Sequence, residues 1–413
     1  MANPSKLCVL VFVVALVAAA CGSHDTTTTA ETTTTVSPSV DRRLADAGAP
    51  TDEWVAGVNA AGWGFHRSLE GSAVSSPVSI GTAFSLARAG ASRDTGAVLD
   101  RIFGFPAAGN DAAANAVDLR LAASSVEPTT LEVANRLFPD DEFSPLPQFL
   151  DTAAGDYGAT IQPVDTADGA AAADTINGWV SDRTRGLIPI LVDEGFVQGQ
   201  QLILVNTVYL KADWAQPFLA ELTTDDEFTT ADGSTVTTPF MHDREPTSRR
   251  FVRLEAADAV ELPYEGGELA MWLIVPRETD GLDGVEASLD ADTFANLRET
   301  AVDGLVDLTM PKWEQALPPT DLFEWLCPLD FCPGAAFAAI APDIAISGAL
   351  HGAEVIVDEK GTEAAAATAL SFDESGPPSA ELTVVADRPF TWAIVHEDTG
   401  ALLFVGRLLD PST

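Results

Sequence analysis

Between residues 51 and 69, apolar side chains fall at Trp54, Val58, Ala61, Phe65 and Leu69, a spacing that places them on one stripe of a helix. Thr51-Asp52-Glu53 just ahead supplies a helix-start signal. A second helical pattern follows Ser76-Pro77 and runs through Ile80, Ala83, Phe84 and Ala87 to Gly90-Ala91 with little charge on any face, so it is expected to be buried. Thr129 to Leu137 predicts a strand, and Ala167 to Thr184 a helix carrying Ile176, Trp179 and Val180. Leu202 to Leu210 is apolar around a single Asn206, which predicts a strand covered on both faces in the middle of a large sheet. Asn206 is then a buried polar group in need of partners. Short β-type runs follow at Phe251 to Leu254, Ala259 to Leu262 and Leu269 to Val275. Two last strands, Thr391 to His396 and Leu402 to Arg407, flank the turn signal Glu397-Asp398-Thr399-Gly400. With no internal repeat and no second linker, residues 51–413 read as one α+β domain.

The first fifty residues lack this patterning. Lys6 precedes an apolar run from Leu7 to Ala20, too short to span a bilayer comfortably and typical of a signal peptide. Ala18-Ala19-Ala20 leads into Cys21-Gly22, which resembles a bacterial lipoprotein processing site at which Cys21 is lipidated and becomes N-terminal, although Ala18 stands where Leu is usual. Simple secretion with an incidental cysteine is the alternative. Ser23 to Ser39 is dominated by Thr and contains nothing that could form a core. The expectation is therefore a signal over 1–21, a flexible tether over 22–50, and a protein held at the outer face of the cell membrane by a lipid.

Charge narrows the partners. Asp and Glu number 62 against 22 Lys and Arg, so the surface repels phosphate backbones, and a nucleic-acid or heparin-type partner is not expected. Once Cys8 leaves with the signal and Cys21 takes a lipid, Cys327 and Cys332 remain as candidates for a local disulfide in an oxidising compartment. They offer too few ligands for a metal site, and none is expected. The familiar signatures of hydrolases, nucleotide binders and dinucleotide cofactors are missing, so no cofactor is expected. Of the five histidines, His24 lies in the tether and His66 in the first helix, while His351 and His396 could each be a general base. Neither comes with a nucleophile that the sequence identifies.

An ordered series of residues from about Trp54 to Pro411 resembles the serpin family. It includes Asn59, Ser76-Pro77-Val78-Ser79-Ile80, Ala134-Asn135, Ile176-Asn177 with Trp179, Thr184 with Gly186, and Leu204-Val205-Asn206 through Tyr209-Leu210-Lys211 to Trp214. Asp387-Arg388-Pro389-Phe390, Phe404 with Gly406-Arg407, and Asp410-Pro411 complete it. The resemblance implies three β-sheets, about eight or nine helices and an exposed reactive-centre loop. It also implies a mechanism: a protease attacks the loop, an acyl-enzyme forms, and the cut loop inserts into the central sheet before the ester is hydrolysed. The stem of that loop would be Glu359-Lys360-Gly361-Thr362-Glu363-Ala364-Ala365-Ala366-Ala367-Thr368. In a strand, Thr362, Ala364, Ala366 and Thr368 share one face and are all small, while Glu363 points the other way. No proline interrupts Lys360 to Ser375, as a central strand requires.

By the same resemblance, Ser76, Ser79, Asn206 and His351 form a buried hydrogen-bonded switch where central strands part. Lys312 and Glu359 form an ion pair at the loop's entry, with Trp214 beside it. These are structural supports, not catalytic groups. The family's usual spacing from Glu359 puts the cleaved bond at Ser375-Gly376, whereas counting back from Pro389-Phe390 points near Pro378; Glu374 and Phe372 remain alternatives. These choices imply an elastase-like, subtilisin-like, chymotrypsin-like or glutamate-specific target. No Arg or Lys lies between Gly361 and Ala386, so a trypsin-like target is not expected. The expected protein is a monomeric suicide-substrate inhibitor, with a non-inhibitory serpin-fold binding protein as the alternative and a hydrolase using His351 or His396 as a third reading.

Overall fold

The structure, a computed structural model, describes residues 40–342, 344–346, 348–362 and 379–412. Residues 1–39, including Cys21, and the loop residues Glu363 to Pro378, including Phe372, Glu374, Ser375 and Gly376, lie outside the described residues.

Two sheets organise the described chain. The smaller has six strands in the order β11 (Trp313–Asp321), β12 (Leu350–Val357), β13 (Gly361–Thr362), β4 (Leu202–Asp213), β2 (Thr130–Pro139) and β3 (Thr160–Ile161). The larger begins with β1 (Ala73–Ser75), β16 (Leu402–Leu408), β15 (Phe390–His396), β9 (Leu269–Pro276) and β8 (Ala257–Pro263). It continues through β7 (Thr247–Arg253), β10 (Val302–Pro311), β6 (Thr235–His242) and β5 (Thr224–Thr229), with β14 (Leu382–Val385) alongside β10. Where three sheets are expected, two are found, and β10 is the reason. Its first half, Val302 to Val306, pairs with β7, and its end, Thr309 to Pro311, pairs with β6, so one long strand stitches two sheets into one.

The described residues form ten α-helices rather than eight or nine. They are α1 (Thr51–Ser68), α2 (Pro77–Gly90), α3 (Arg93–Phe103), α4 (Asn110–Ala123), α5 (Pro147–Tyr157), α6 (Gly169–Arg183), α7 (Glu194–Val197), α8 (Leu282–Ser288), α9 (Ala291–Thr300) and α10 (Phe323–Leu326). The surplus is made of single turns, α7 and α10. Cys327 and Cys332 form a disulfide just after α10.

Local chemistry explains the element that matters most for the site. Helix α2 starts on Ser76, whose hydroxyl accepts from the Ser79 backbone N–H at 3.3 Å, and Pro77 occupies the first helical position, where its missing N–H costs nothing. Strand β4 is covered on both faces, as its apolar run predicts. Ile203 and Val205 pack with Ile176 and Trp179 of α6, while Leu202, Leu204 and Val208 lie against the main core that contains α2. The β15–β16 hairpin is buried along nearly its whole length.

Candidate functional site: a loop stem between two central strands

Strands β4 and β12 sit in the middle of the smaller sheet, yet among the described residues they are joined only through Gly361 and Thr362. Thr362 pairs with Val357 of β12 on one side and Ala212 of β4 on the other, antiparallel to both. A cavity of about 70 Å³ opens lower down, between Leu202 to Asn206 of β4 and Leu350 of β12, with Phe84 and Ala87 of α2 on its wall.

The turn that delivers the stem is built by Asp358. Its carboxylate accepts from the backbone N–H of Lys360 at 2.8 Å and of Gly361 at 3.3 Å, and its own N–H donates to the Gly361 carbonyl at 3.0 Å. Gly361 must be glycine here: a Cβ would lie 2.0 Å from the Ala212 carbonyl oxygen. Glu359 is turned outward onto Lys312, with Nζ to Oε2 at 2.8 Å, and accepts from the Thr223 hydroxyl at 2.8 Å. Partial burial works against ionisation of this carboxyl, but the hydrogen bonds from Lys312 and Thr223 outweigh it and hold the group below its ordinary range. Trp214 locks the same turn, its backbone N–H donating to the Lys360 carbonyl at 2.5 Å and its indole Nε1 to the Asp358 carbonyl at 3.0 Å. The indole stacks on Tyr264 with centroids 4.5 Å apart, and the Tyr264 hydroxyl lies 2.7 Å from Thr362 Oγ1. Lys312, Glu359 and Trp214 are thus one assembly around the stem. Lys312 is over a third exposed, so Lys312→Met is expected to cost only about 1 kcal/mol, lowering the melting temperature by about 2 °C in calorimetry. The difference should shrink as salt is raised.

The second assembly lies at the start of α2. Asn206 Oδ1 accepts from the Ser79 hydroxyl in a short contact, and its Nδ2 donates to Asn135 Oδ1 at 2.6 Å. Asn135 Nδ2 donates in turn to the Tyr157 carbonyl at 3.1 Å. On the other side the backbone N–H of Ser76 donates to Nε2 of His351 at 3.1 Å. His351 is fully enclosed, and burial lowers its pKa to about 4. The first turn of α2 therefore ties β4 through Ser79 and β12 through Ser76, which brings Ser76, Ser79, Asn206 and His351 together. Asn135 was not singled out for this role. Its signal was available, since it stands directly across from Asn206 in the β2–β4 ladder, and two facing amides on apolar strands are natural partners.

Neither candidate histidine is arranged as a general base. Nε2 of His351 is occupied by a backbone N–H. The Thr399 backbone N–H donates to Nδ1 of His396 at 3.3 Å, which leaves Nε2–H to donate to the Ser124 hydroxyl at 2.8 Å, the reverse of what activating a nucleophile requires. One acidic group among the described residues, Asp140, Asp141 and Asp165, brings ligand atoms within 4.8 Å of one another. Asp140 already accepts from the Glu142 and Thr166 backbone and the Thr166 hydroxyl, so its oxygens serve the loop.

Together these features define a class: a protein whose central sheet is interrupted between two parallel strands, with the stem of a loop engaged at the top of the gap. Residues 66–411 match the sequence model of the family described as "Serpin (serine protease inhibitor)", and the chain belongs to the serpin family. It is 32% identical over 358 residues to a leukocyte elastase inhibitor of Bos taurus, a match covering 81% of this chain and 92% of that protein. With antithrombin-III of Mus musculus it shares 28% over 352 residues, covering 81% and 76%. Among solved structures, the native-state thermophilic serpin tengpin superposes with a TM-score of 0.77 at 24% identity, covering 90% of this chain and 96% of that one.

Proposed function

We propose that this protein is a suicide-substrate inhibitor of an extracellular serine protease. The observation that carries the reading is the position of Thr362, already paired on both sides between β12 and β4. Continued in the same antiparallel register, Ala364, Ala366 and Thr368 come opposite Leu210, Val208 and Asn206 of β4. Thr362 faces inward and is 2% exposed, so on insertion in that register these small residues would follow it onto the buried face, with Glu363 on the opposite one. The strand-adding segment thus ends its small-residue run at the switch.

In the proposed reaction the protease serine oxygen bonds to the carbonyl carbon of the scissile residue, the peptide C–N bond breaks, and the amine side departs with a proton. The freed stem inserts, carrying the esterified protease with it. Water then fails to complete hydrolysis because the protease site is distorted. Ser375-Gly376 is the first choice for the bond, with Glu374 and Phe372 as alternatives, and a subtilisin-, elastase- or chymotrypsin-like enzyme as the target. We read the molecule as a monomer acting outside the cell, with a signal over residues 1–21, a lipid on Cys21 and a tether over 22–50.

Incubation of the protein with subtilisin, elastase and chymotrypsin, followed by denaturing electrophoresis, tests the reading. At least one enzyme is expected to form an SDS-stable complex, and the mass of the released C-terminal peptide locates the bond. Cleavage by all three with full protease activity retained overturns it.

A further inference from the structure

Residues 213–215, where β4 ends, are shared by two neighbouring segments. The Trp214 backbone N–H donates to the Lys360 carbonyl of the loop stem, while the Glu265 N–H donates to the Asp213 carbonyl at 2.8 Å and the Ala215 N–H to the Pro263 carbonyl at 2.9 Å. The stem and the β8–β9 turn are thus fastened to one short stretch of backbone, and both line a cavity of about 470 Å³. Asp213, Trp214, Pro217, Pro263, Glu265 and Lys360 are among its walls. Gly266 and Gly267 carry the turn at φ values of 92° and 75°, a backbone that glycine adopts readily and other residues do not. A Cβ at either would meet nothing within 4 Å, so the turn stands clear of its surroundings and does not pack down over the cavity.

The cavity carries charge of both signs that the fold leaves unused. Among the described residues, the Lys360 ammonium and the carboxylates of Asp213 and Glu265 make no hydrogen bond or ion pair. The neighbouring Glu359 is taken by Lys312. With 62 acidic residues and four lysines in the chain, carboxylates for Lys360 are not in short supply, yet the two on its own wall are held out of its reach. Asp213 and Lys360 are half-buried, and an ionised group that has lost part of its hydration gains from a partner that restores the interaction. The complement of one cation and two anions is one carboxylate and two cations, joined by a short apolar chain that can lie along Pro217 and Pro263. A basic α-amino acid has that composition, and the volume is in the range of small-molecule sites.

We propose that this cavity binds a free basic amino acid of the arginine type. Its α-carboxylate pairs with Lys360, its α-ammonium with Asp213, and its guanidinium with the exposed Glu265, for which a planar fork is suited. Lys360 belongs to the loop stem, so the site is complete only while the stem is seated against Trp214. The proposal stands apart from the inhibitor reading, because it needs the seated stem and no protease.

Calorimetric titration of the full-length protein at low salt tests it with three probes. L-Arginine is expected to bind one to one with Kd near or below about 1 mM. Agmatine, the same molecule without its carboxylate, should bind at least about tenfold more weakly although it carries more positive charge, and citrulline, whose urea replaces the guanidinium, should be weakened by a similar factor. Lys360→Gln should erase the preference for arginine over agmatine, and Glu265→Gln the preference for arginine over citrulline. Both side chains are unpaired, so both variants are expected to fold, which an unchanged melting temperature checks. Agmatine binding as tightly as arginine overturns the proposal, since it marks general attraction of cations to an acidic surface. So does the absence of arginine binding, or a preference for arginine over agmatine that survives Lys360→Gln.

Discussion

Replacing Thr362 by arginine is expected to turn an inhibitor into a substrate. In the variant, the target protease cuts the loop at an ordinary rate, no SDS-stable complex accumulates, and the moles of protein consumed per mole of protease rise by at least tenfold. The reason lies in what surrounds the side chain. Thr362 is held between Val357 and Ala212, is 2% exposed, and has its hydroxyl 2.7 Å from the Tyr264 hydroxyl. A guanidinium at that point must shed its water, and burying a charge without a built partner costs several kcal/mol. Before cleavage the cost is avoidable, because a two-residue strand can leave the sheet at little expense to the fold. After cleavage it falls on the insertion step, which competes with hydrolysis of the ester, and about 3 kcal/mol on that barrier slows it more than a hundredfold. Thr362→Val separates charge from hydrogen bonding. It keeps the shape, loses one bond worth about 1 kcal/mol, and is expected to inhibit nearly as well as wild type. Full inhibition by the arginine variant would show that insertion does not pass through β13.

The sequence made the long elements legible because each carries a single unambiguous period. The stripe of Trp54, Val58, Ala61 and Phe65 has the spacing of a helix, and the run from Leu202 to Leu210 is short and rich in β-branched residues, which favours an interior strand. The stem of the loop was legible through the family resemblance, with the alternation of small residues from Thr362 as physical support, since an alanine run alone could equally be helical. What stayed hidden was set by tertiary pairing. That β10 joins two sheets depends on which partners meet each half of one strand, and nothing in Val302 to Pro311 announces two partners. The anchoring of Arg42 and Arg43 was hidden too. Arg42 and Arg43 stand at the end of a low-complexity stretch where composition speaks only for a tether, and their carboxylate partners lie 76 and 113 residues further on. Asn135 falls between these cases, since its partner is visible only when the register of β2 against β4 is known.

The second large effect concerns acid. His351 is fully enclosed, and burial alone lowers its pKa from 6.5 to about 4. In the unfolded chain the ring takes a proton near 6.5, so between these values the unfolded state binds more protons than the folded one, and stability falls as pH falls. The contribution is complete above about pH 7 and declines through the window from 6.5 to 4, and the loss amounts to about 3 kcal/mol once pH 4 is reached. His66 and His396 are also shifted down, by burial first, and act in the same direction, whereas the raised carboxyls Asp118 and Asp156 work the opposite way at the acid end. The wild-type curve alone therefore mixes several groups. Comparison with His351→Gln isolates the one of interest, since glutamine can still accept from Ser76 but cannot titrate. Denaturant unfolding followed from pH 7.5 to 4 should show the variant less stable at neutral pH, flatter in slope, and level with wild type by about pH 4. Parallel curves would rule out the neutral, buried ring. The consequence for function follows from geometry. Protonation turns Nε2 from an acceptor into a donor facing the Ser76 N–H at 3.1 Å, so acid breaks the bond that ties β12 to α2. The uncut protein is then expected to lose inhibitory activity faster at pH 4.5 than at pH 7, by a pathway that His351→Gln removes.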